Sequence, residues 1–488
     1  ATALHMGATR VSVVEDNPLV ARVVRDAYAD HLGGLYDDAR VSLAIEDPRA
    51  ALERSPGGFD VVQLSLAEGF HPLTSGSYSL AENHLYTVEG MAAALRRLNP
   101  DGILVVTRWL QDPPSESVRA AGAIVAALER SAAADPARHV IAFRSWSTMT
   151  LLASPSPFGQ ADIDGVAASC EALGYDPVHL QGLSPAQTNR HNVLPQDSYY
   201  AAFHDLIYGD REEFYRAQAY DVSPPTDDRP FFGHYFRWRQ APEVLARMGR
   251  TWQPFAGSGY LLVLALLVVA VVAAVGLAAL PVLAGRAATA VRGRGRILAY
   301  FAGLGLGFML IEVPLMQRFI LYLGQPAIAF IVVLSALLSF SGIGSALAPR
   351  VSLRGALALL VGLALTYPWM LSRIEAATLA APLPVRALVA AALLFPLGVL
   401  MGVPFAGGLR RAERLAPGLT PWIWAVNGGA SVVSAILAMV VALALGYRAV
   451  LWLAAGSYLA AAVALWPLAA AREATGPAAT GAVTGGRP

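Results

Sequence analysis

A single cysteine, Cys170, occurs in 488 residues, which excludes a disulfide framework within one chain and any cysteine-based metal cluster. Charge is scarce too. Only 15% of the residues are charged, 55% are hydrophobic, and the net charge is +1. That near-neutral balance argues against a nucleic-acid partner. The apolar share is too high for an ordinary soluble protein. The longest absence is local. From Tyr260 to Ala284 there is no charged residue over about 25 positions, and a helix needs roughly 20 apolar residues to cross the hydrocarbon.

The change of character falls near Gly257. Before it, strand and helix signals alternate. Strands are expected at Val11 to Val14, Val41 to Ile45, Phe59 to Leu64 and Ile103 to Thr107, and a strand pair at His139 to Trp146 and Met149 to Ala153. Helices are expected at Leu19 to His31, Pro48 to Arg54, Thr87 to Leu98 and Val118 to Ser131. That alternation predicts a mainly parallel sheet covered on both faces. The pattern becomes less regular after Asp162. The domains expected are 1–155 as an α/β unit, 156–256 as a cap or edge elaboration with linker, 257–471 as a membrane domain and 472–488 as a disordered tail.

Seven spans are expected in the second half: Gly259 to Ala284, Ile297 to Leu323, Ala327 to Ala348, Leu353 to Leu371, Val385 to Leu409, Pro421 to Leu445 and Val450 to Ala469. Small residues cluster within them, as GLGLG at Gly303 to Gly307, SGIGS at Ser341 to Ser345 and NGGAS at Asn427 to Ser431. Such residues let helix backbones approach closely in a bilayer. Glu312 and Arg318 lie inside one span with Pro314 between them. Ionisable groups there face a protein interior or an aqueous cavity. Two readings stand, an internal ion pair or a substrate or proton site. Asn427 completes this polar set, with a helix-packing hydrogen bond as its plainer role.

The strand VSVVED ends in acid. In doubly wound folds an acid at the end of the second strand accepts hydrogen bonds from ribose hydroxyls, which would suit Glu15. Asp47 follows the next strand, on the adenine side. The plain alternative is that each caps the helix after it. The opening residues read as the interior of a domain, so the first strand and a Gly-rich phosphate turn are expected upstream of Ala1.

The chain resembles the spermidine synthase-like branch of class I S-adenosylmethionine-dependent transferases in a membrane-fused form. The resemblance rests on ALHMGATRVSVVEDNPLV, EDPRAALERSPGGFDVV, SLAENHLYTVEGM, LNPDGILVVTRW and PPTDDRPFFGHYF, and on GFMLIEVPLMQRFILYLGQP, FPLGVLMGVPFAGGLR and PWIWAVNGGASVVSAILA in the membrane half. It implies a Rossmann-like methyltransferase-type fold followed by an all-α polytopic domain of about seven helices. It further implies S-adenosylmethionine or its decarboxylated form as a substrate, Glu15, Asp47 and Ser65 on the cofactor side, and no metal. Aminopropyltransferases carry an aspartate pair after the strand matching FDVV. Here that place reads QLSLAEGFHP, and the neutral Gln63 and Ser65 cannot do a carboxylate's work near neutral pH. Glu68 and Glu82 remain as catalytic candidates, with His71 nearby. The expected protein is a membrane-bound transferase with an amine or unknown acceptor. The alternative is a non-catalytic nucleotide-binding domain regulating a transporter-like bundle.

TDDRP at Thr226 to Pro230 either brings two acids to a cleft or forms a corner in which Asp227 or Asp228 pairs with Arg229 or Arg237. Orientation is contested within the sequence. Arg286, Arg292, Arg294 and Arg296 pull one loop to the cytoplasm, while Arg237, Arg239, Arg247 and Arg250 before the first span pull the other face there. The need for an adenosyl donor sets the expectation: an integral protein of a bacterial inner membrane, soluble domain cytoplasmic, with the bilayer as partner, homo-oligomers possible and no nucleic acid.

Overall fold

The structure is a computed structural model that describes residues 1–66, 80–131, 133–242, 258–283 and 293–473. Its N-terminal part is α/β. Strands β1 (Val11–Glu15) and β2 (Val41–Ile45) run parallel, with Val11 opposite Val41 and Glu15 opposite Ile45. Helix α1 (Pro18–Arg22) is capped by Asn17, whose side chain accepts the Leu19 N–H. Helix α2 (Pro48–Arg54) is capped by Asp47, which accepts the Ala50 N–H at 2.8 Å. In both, Pro sits at the first position, where its missing N–H is no loss.

Five further strands, β3 (Phe59–Leu64), β4 (Leu98–Trp109), β5 (Val140–Arg144), β6 (Thr148–Ala153) and β7 (Asp176–His179), form a second sheet in the order β3-β4-β6-β5-β7. Strands β3 and β4 are parallel, but β6 runs antiparallel to both β4 and β5, and β5 antiparallel to β7. The sheet is therefore mixed rather than mainly parallel. The physical reason lies in the short link 145–147, since a tight connection between strands can only reverse direction. Helices α3 (Val88–Arg96) and α4 (Glu116–Arg130) bury Met91, Ala120 and Ile124 against Leu104, Val106 and Leu151. The stretch expected to be irregular holds α5 (Gln160–Leu173), β7, α6 (Ser198–Tyr208) and α7 (Arg211–Ala217). Phe203, Leu206 and Phe214 on the last two are buried in the same core.

The C-terminal part is helical: α8 (Ser258–Leu283), α9 (Arg294–Leu323), α10 (Pro326–Leu347), α11 (Leu353–Thr378), α12 (Leu383–Leu415), α13 (Thr420–Leu445) and α14 (Tyr447–Glu473). Seven of the described helices are long and apolar enough to cross a membrane. The protein is thus an α/β domain joined to a multi-pass membrane bundle. The glycines explain the packing. A Cβ on Gly344 of α10 would stand 2.0 Å from the Val399 carbonyl oxygen, and one on Gly402 of α12 2.0 Å from that of Ser341. A Cβ on Gly305 of α9 would stand 2.4 Å from the Asn427 carbonyl oxygen of α13. Only hydrogen fits at these crossings.

Successive helices run in opposite directions, so alternate loops meet the α/β domain. Two of those meetings are backbone hydrogen bonds. Asp47 N–H donates to the Gly324 carbonyl at 3.1 Å, and Tyr447 N–H donates to the Asp228 carbonyl at 2.9 Å.

Candidate functional site

The segment just before α3 is held by the segment just before the membrane. Asn83 N–H donates to the Pro230 carbonyl at 2.7 Å, and Val88 N–H to that of Pro225 at 2.9 Å. Thr87 caps α3, accepting the Gly90 N–H at 3.0 Å, and its Oγ1 lies 2.6 Å from Asp227 Oδ1. Asp227 in turn donates its N–H to Glu89 Oε2 at 2.9 Å and accepts from Arg49 Nη2 at 3.3 Å. Two loops distant in sequence are thereby locked side by side.

His84 sits where they meet. Its Nδ1 is 3.7 Å from Asp227 Oδ1 and its Nε2 is 3.7 Å from Glu82 Oε2. These are charge contacts, too long for hydrogen bonds, and both ring nitrogens are buried with no hydrogen-bond partner. Burial works against the charged ring, but the Asp227 and Glu82 carboxylates outweigh it and raise the pKa to about 9. Burial likewise opposes the Asp227 charge. His84 and Arg49 overcome it and hold that carboxyl down at about 2. Near neutral pH the centre is an imidazolium between two carboxylates.

The bundle closes the site. The Tyr447 hydroxyl donates to Glu82 Oε1. Asp228 Oδ1 accepts the Arg448 N–H at 2.9 Å and lies 3.7 Å from Arg448 Nε. Gly446, at φ +88°, leaves no room for a side chain, because a Cβ there would stand 2.3 Å from Asp228 Oδ2. Between the domains lies a cavity of about 60 Å³. His84, Asp227, Asp228, Arg318, Tyr447 and Arg448 form its polar wall. Pro314 and Leu315 of α9, Pro368 and Leu371 of α11 and Leu451 of α14 line the bundle side.

Glu82 thus belongs to this centre, whereas Glu68 and His71 lie outside the described residues. Glu15 ends β1 and accepts the Asn17 N–H at 2.9 Å, while Asn17 rather than Glu15 caps α1. Asp47 does cap α2, and it is half-buried against the Gly324 turn. Its carboxyl is raised by burial and lies close enough to His84 to feel that charge. Ser65 follows β3 and is exposed.

In the bundle, Arg318 pairs with Glu375 of α11 rather than with Glu312. Arg318 Nε donates to Glu375 Oε2 at 2.9 Å and Nη2 to Ser372 Oγ at 2.9 Å. Glu312 and Arg318 are six residues apart on a helix that continues through Pro314, about 600° of turn, so they point to different sides. Asn427 Nδ2 donates to the Phe301 carbonyl at 3.0 Å, a helix-packing bond between α13 and α9.

Both TDDRP acids face the junction, while Arg229 and Arg237 turn to Asp221. The corner pairing expected for them is replaced by partners on α2 and α14, Arg49 and Arg448. Sequence reasoning passed over Tyr447, Arg448 and Glu375. The first two lie between the expected spans, in the link from Leu445 to Val450. Glu375, a lone acid near a helix end in the membrane half, was the signal that could have been used. No protein-family model matches the chain, and no curated protein matches it.

Proposed function

We propose that the protein is a membrane-bound transferase of the spermidine synthase-like kind, using S-adenosylmethionine or its decarboxylated form at the carboxyl end of β1 and β2. The observation that carries this reading is the docking of that strand edge on the bundle. Asp47, just past β2, bonds the Gly324 turn and neighbours His84, which opens on the junction cavity. Open α/β sheets bind ligands outside the carboxyl ends of their strands. A donor bound there would meet an acceptor held against the bundle, which gives the fusion of the two domains a purpose. The acceptor is an amine. The junction offers the carboxylates of Glu82, Asp227 and Asp228 to a cation, and His84 and the arginines would give way to it. Of the two catalytic candidates, Glu82 is the one that joins this centre, and it meets the cavity through His84 and Tyr447. No metal takes part in this scheme.

One observation favours the second reading, a regulatory nucleotide-binding domain on a transporter-like bundle. Glu82 and Asp228 are both bonded to the first turn of α14, so a ligand that moves the loop 80–89 also moves a membrane helix. The two readings are separated by chemistry. Purified protein in detergent is titrated calorimetrically with both adenosyl compounds, then incubated with a panel of amines and assayed for transfer. Binding with product supports the transferase, and binding without product the regulator. Absence of binding overturns both. A charge-assisted bond from Glu15 to a ribose is worth roughly 1.5 to 3 kcal/mol, so Glu15→Gln weakens binding about ten- to a hundredfold. The same scheme places the α/β domain in the cytoplasm of a bacterial cell, where adenosyl donors are available. Arginines stand at both faces of the bundle: Arg294, Arg350 and Arg410 away from the α/β domain, Arg373 and Arg448 beside it.

A further inference from the structure

Elsewhere on the junction, two arginines from different domains flank the end of one helix. Arg386, near the start of α12, is 5% exposed and donates from Nη1 to the Tyr322 carbonyl at 2.6 Å, in the last turn of α9. Its Nε is buried without a hydrogen-bond acceptor. The ion pairs described nearby, Arg54–Glu46 and Arg318–Glu375, leave it out. Arg54 reaches the same helix end from α2. A Cβ on Gly324, two residues past Tyr322, would stand 3.7 Å from Arg54 Nη1, which is also buried without an acceptor. Burial lowers the Arg54 pKa, and the charge of Arg386 lowers it further. The two cations therefore sense each other across the domain boundary.

The known negative groups do not balance them. The carboxyl end of α9 supplies roughly half a unit of negative charge, and Glu46 supplies one carboxylate to Arg54 alone. An isolated guanidinium out of water is expensive, and two like charges held together add to that. Guanidinium groups recognise phosphate oxygens through paired N–H donors. The location adds a source of such groups, since Arg386 lies within the first turn of a membrane helix, at the level where lipid headgroups stand. Basic pockets between membrane helices bind anionic headgroups in this way.

We propose that Arg54 and Arg386 form an oxyanion site at the domain junction, taking a phosphate group either from an anionic lipid headgroup or from free phosphate, and that this anion ties the α/β domain to the bundle. The site is independent of the transfer reaction. The test uses full-length protein in dodecyl maltoside, titrated with dioleoylphosphatidylglycerol, with dioleoylphosphatidylcholine and with inorganic phosphate, reading the unfolding midpoint. Wild type is stabilised by the anionic lipid or by phosphate and not by the zwitterionic lipid. Arg54→Gln and Arg386→Gln each raise the concentration needed by about tenfold or more. An effect of phosphatidylglycerol alone assigns the site to lipid, and an equal effect of inorganic phosphate assigns it to the free anion. The proposal is overturned if neither compound stabilises the wild type, or if both variants respond as the wild type does. Should Arg386→Gln fail to fold, Arg54→Gln decides alone, because its side chain is partly exposed at 20% and tolerates the change.

Discussion

Asp228 of the α/β domain caps the last membrane helix at Arg448, whose backbone N–H its Oδ1 accepts at 2.9 Å. The Asp228 carbonyl takes the N–H of the residue before. A helix start normally finds its cap in its own chain neighbourhood. Here the cap arrives from 220 residues away, so the position of α14 depends on the α/β domain being seated.

Removing that cap has a measurable consequence. Asp228→Ala lowers stability by about 0.5–2 kcal/mol, the range for a lost N-cap. Gly446→Ala is worse, because the glycine adopts φ +88° and its new Cβ would meet the carboxylate. The double variant loses less than the two single losses added, since Asp228→Ala removes the clashing oxygen. Thermal unfolding in detergent reads all three, and strict additivity would place the clash elsewhere.

His84 makes stability depend on alkaline pH. Its folded pKa is about 9 against an ordinary 6.5. A histidine raised on folding contributes fully below its unfolded pKa and loses that contribution as pH rises through the folded one. The contribution is on the order of 3 kcal/mol and fades between about pH 6.5 and pH 9. Chemical unfolding followed across that window shows a decline in the wild type. His84→Gln flattens it, and a slope surviving in that variant assigns the effect to another group.

At the acid end the sign reverses. Asp227 is held near 2 against an ordinary 3.8, so its contribution is present above pH 3.8 and is lost as pH falls through about 2. Asp227→Asn abolishes this acid limb and lowers the His84 pKa, which a histidine NMR titration follows directly. A His84 titration unmoved by the substitution would dissolve the pair.

The bundle ion pair is Arg318 with Glu375, so coupling belongs to those two. A double-mutant cycle with Arg318→Gln and Glu375→Gln gives an interaction on the order of 1 kcal/mol. The same cycle with Glu312→Gln in place of the second is additive within about 0.5 kcal/mol. Equal coupling in both cycles would point to a shared polar network instead of a pair.

Close helix crossings make small changes large. Gly344→Ala and Gly402→Ala each push a methyl into a carbonyl oxygen 2.0 Å away. Overpacking of this kind destabilises by about 1–3 kcal/mol. Gly362→Ala, with nothing within 4 Å of its Cβ, serves as the neutral comparison on α11. If all three variants melt together, the crossings are looser than described.

What the sequence determined by itself is what depends on local pattern. Length and apolarity are read against a fixed hydrocarbon thickness, so seven spans were legible, and α11 through Pro368 ran only a few residues beyond its expected end. Val and Leu runs likewise marked β1 and β2, and Asp47 and Thr87 marked the starts of α2 and α3, because strand preference and capping act between near neighbours. The reversal of β6 against β5 follows from the short link 145–147, but its place beside β4 was not legible, since it hangs on pairing across the sheet rather than on its own residues. The candidate site was readable only in fragments. Glu82 and Asp47 stood out as acids beside strands and helices. The partner of Glu82 was invisible, because Tyr447 lies 365 positions away and approaches it only when the bundle folds against the sheet, as Arg448 approaches Asp228 from 220 positions away. Long-range electrostatics decided the rest. Nothing in the sequence ties Arg318 to Glu375, 57 positions on, and only the folded bundle brings the two together.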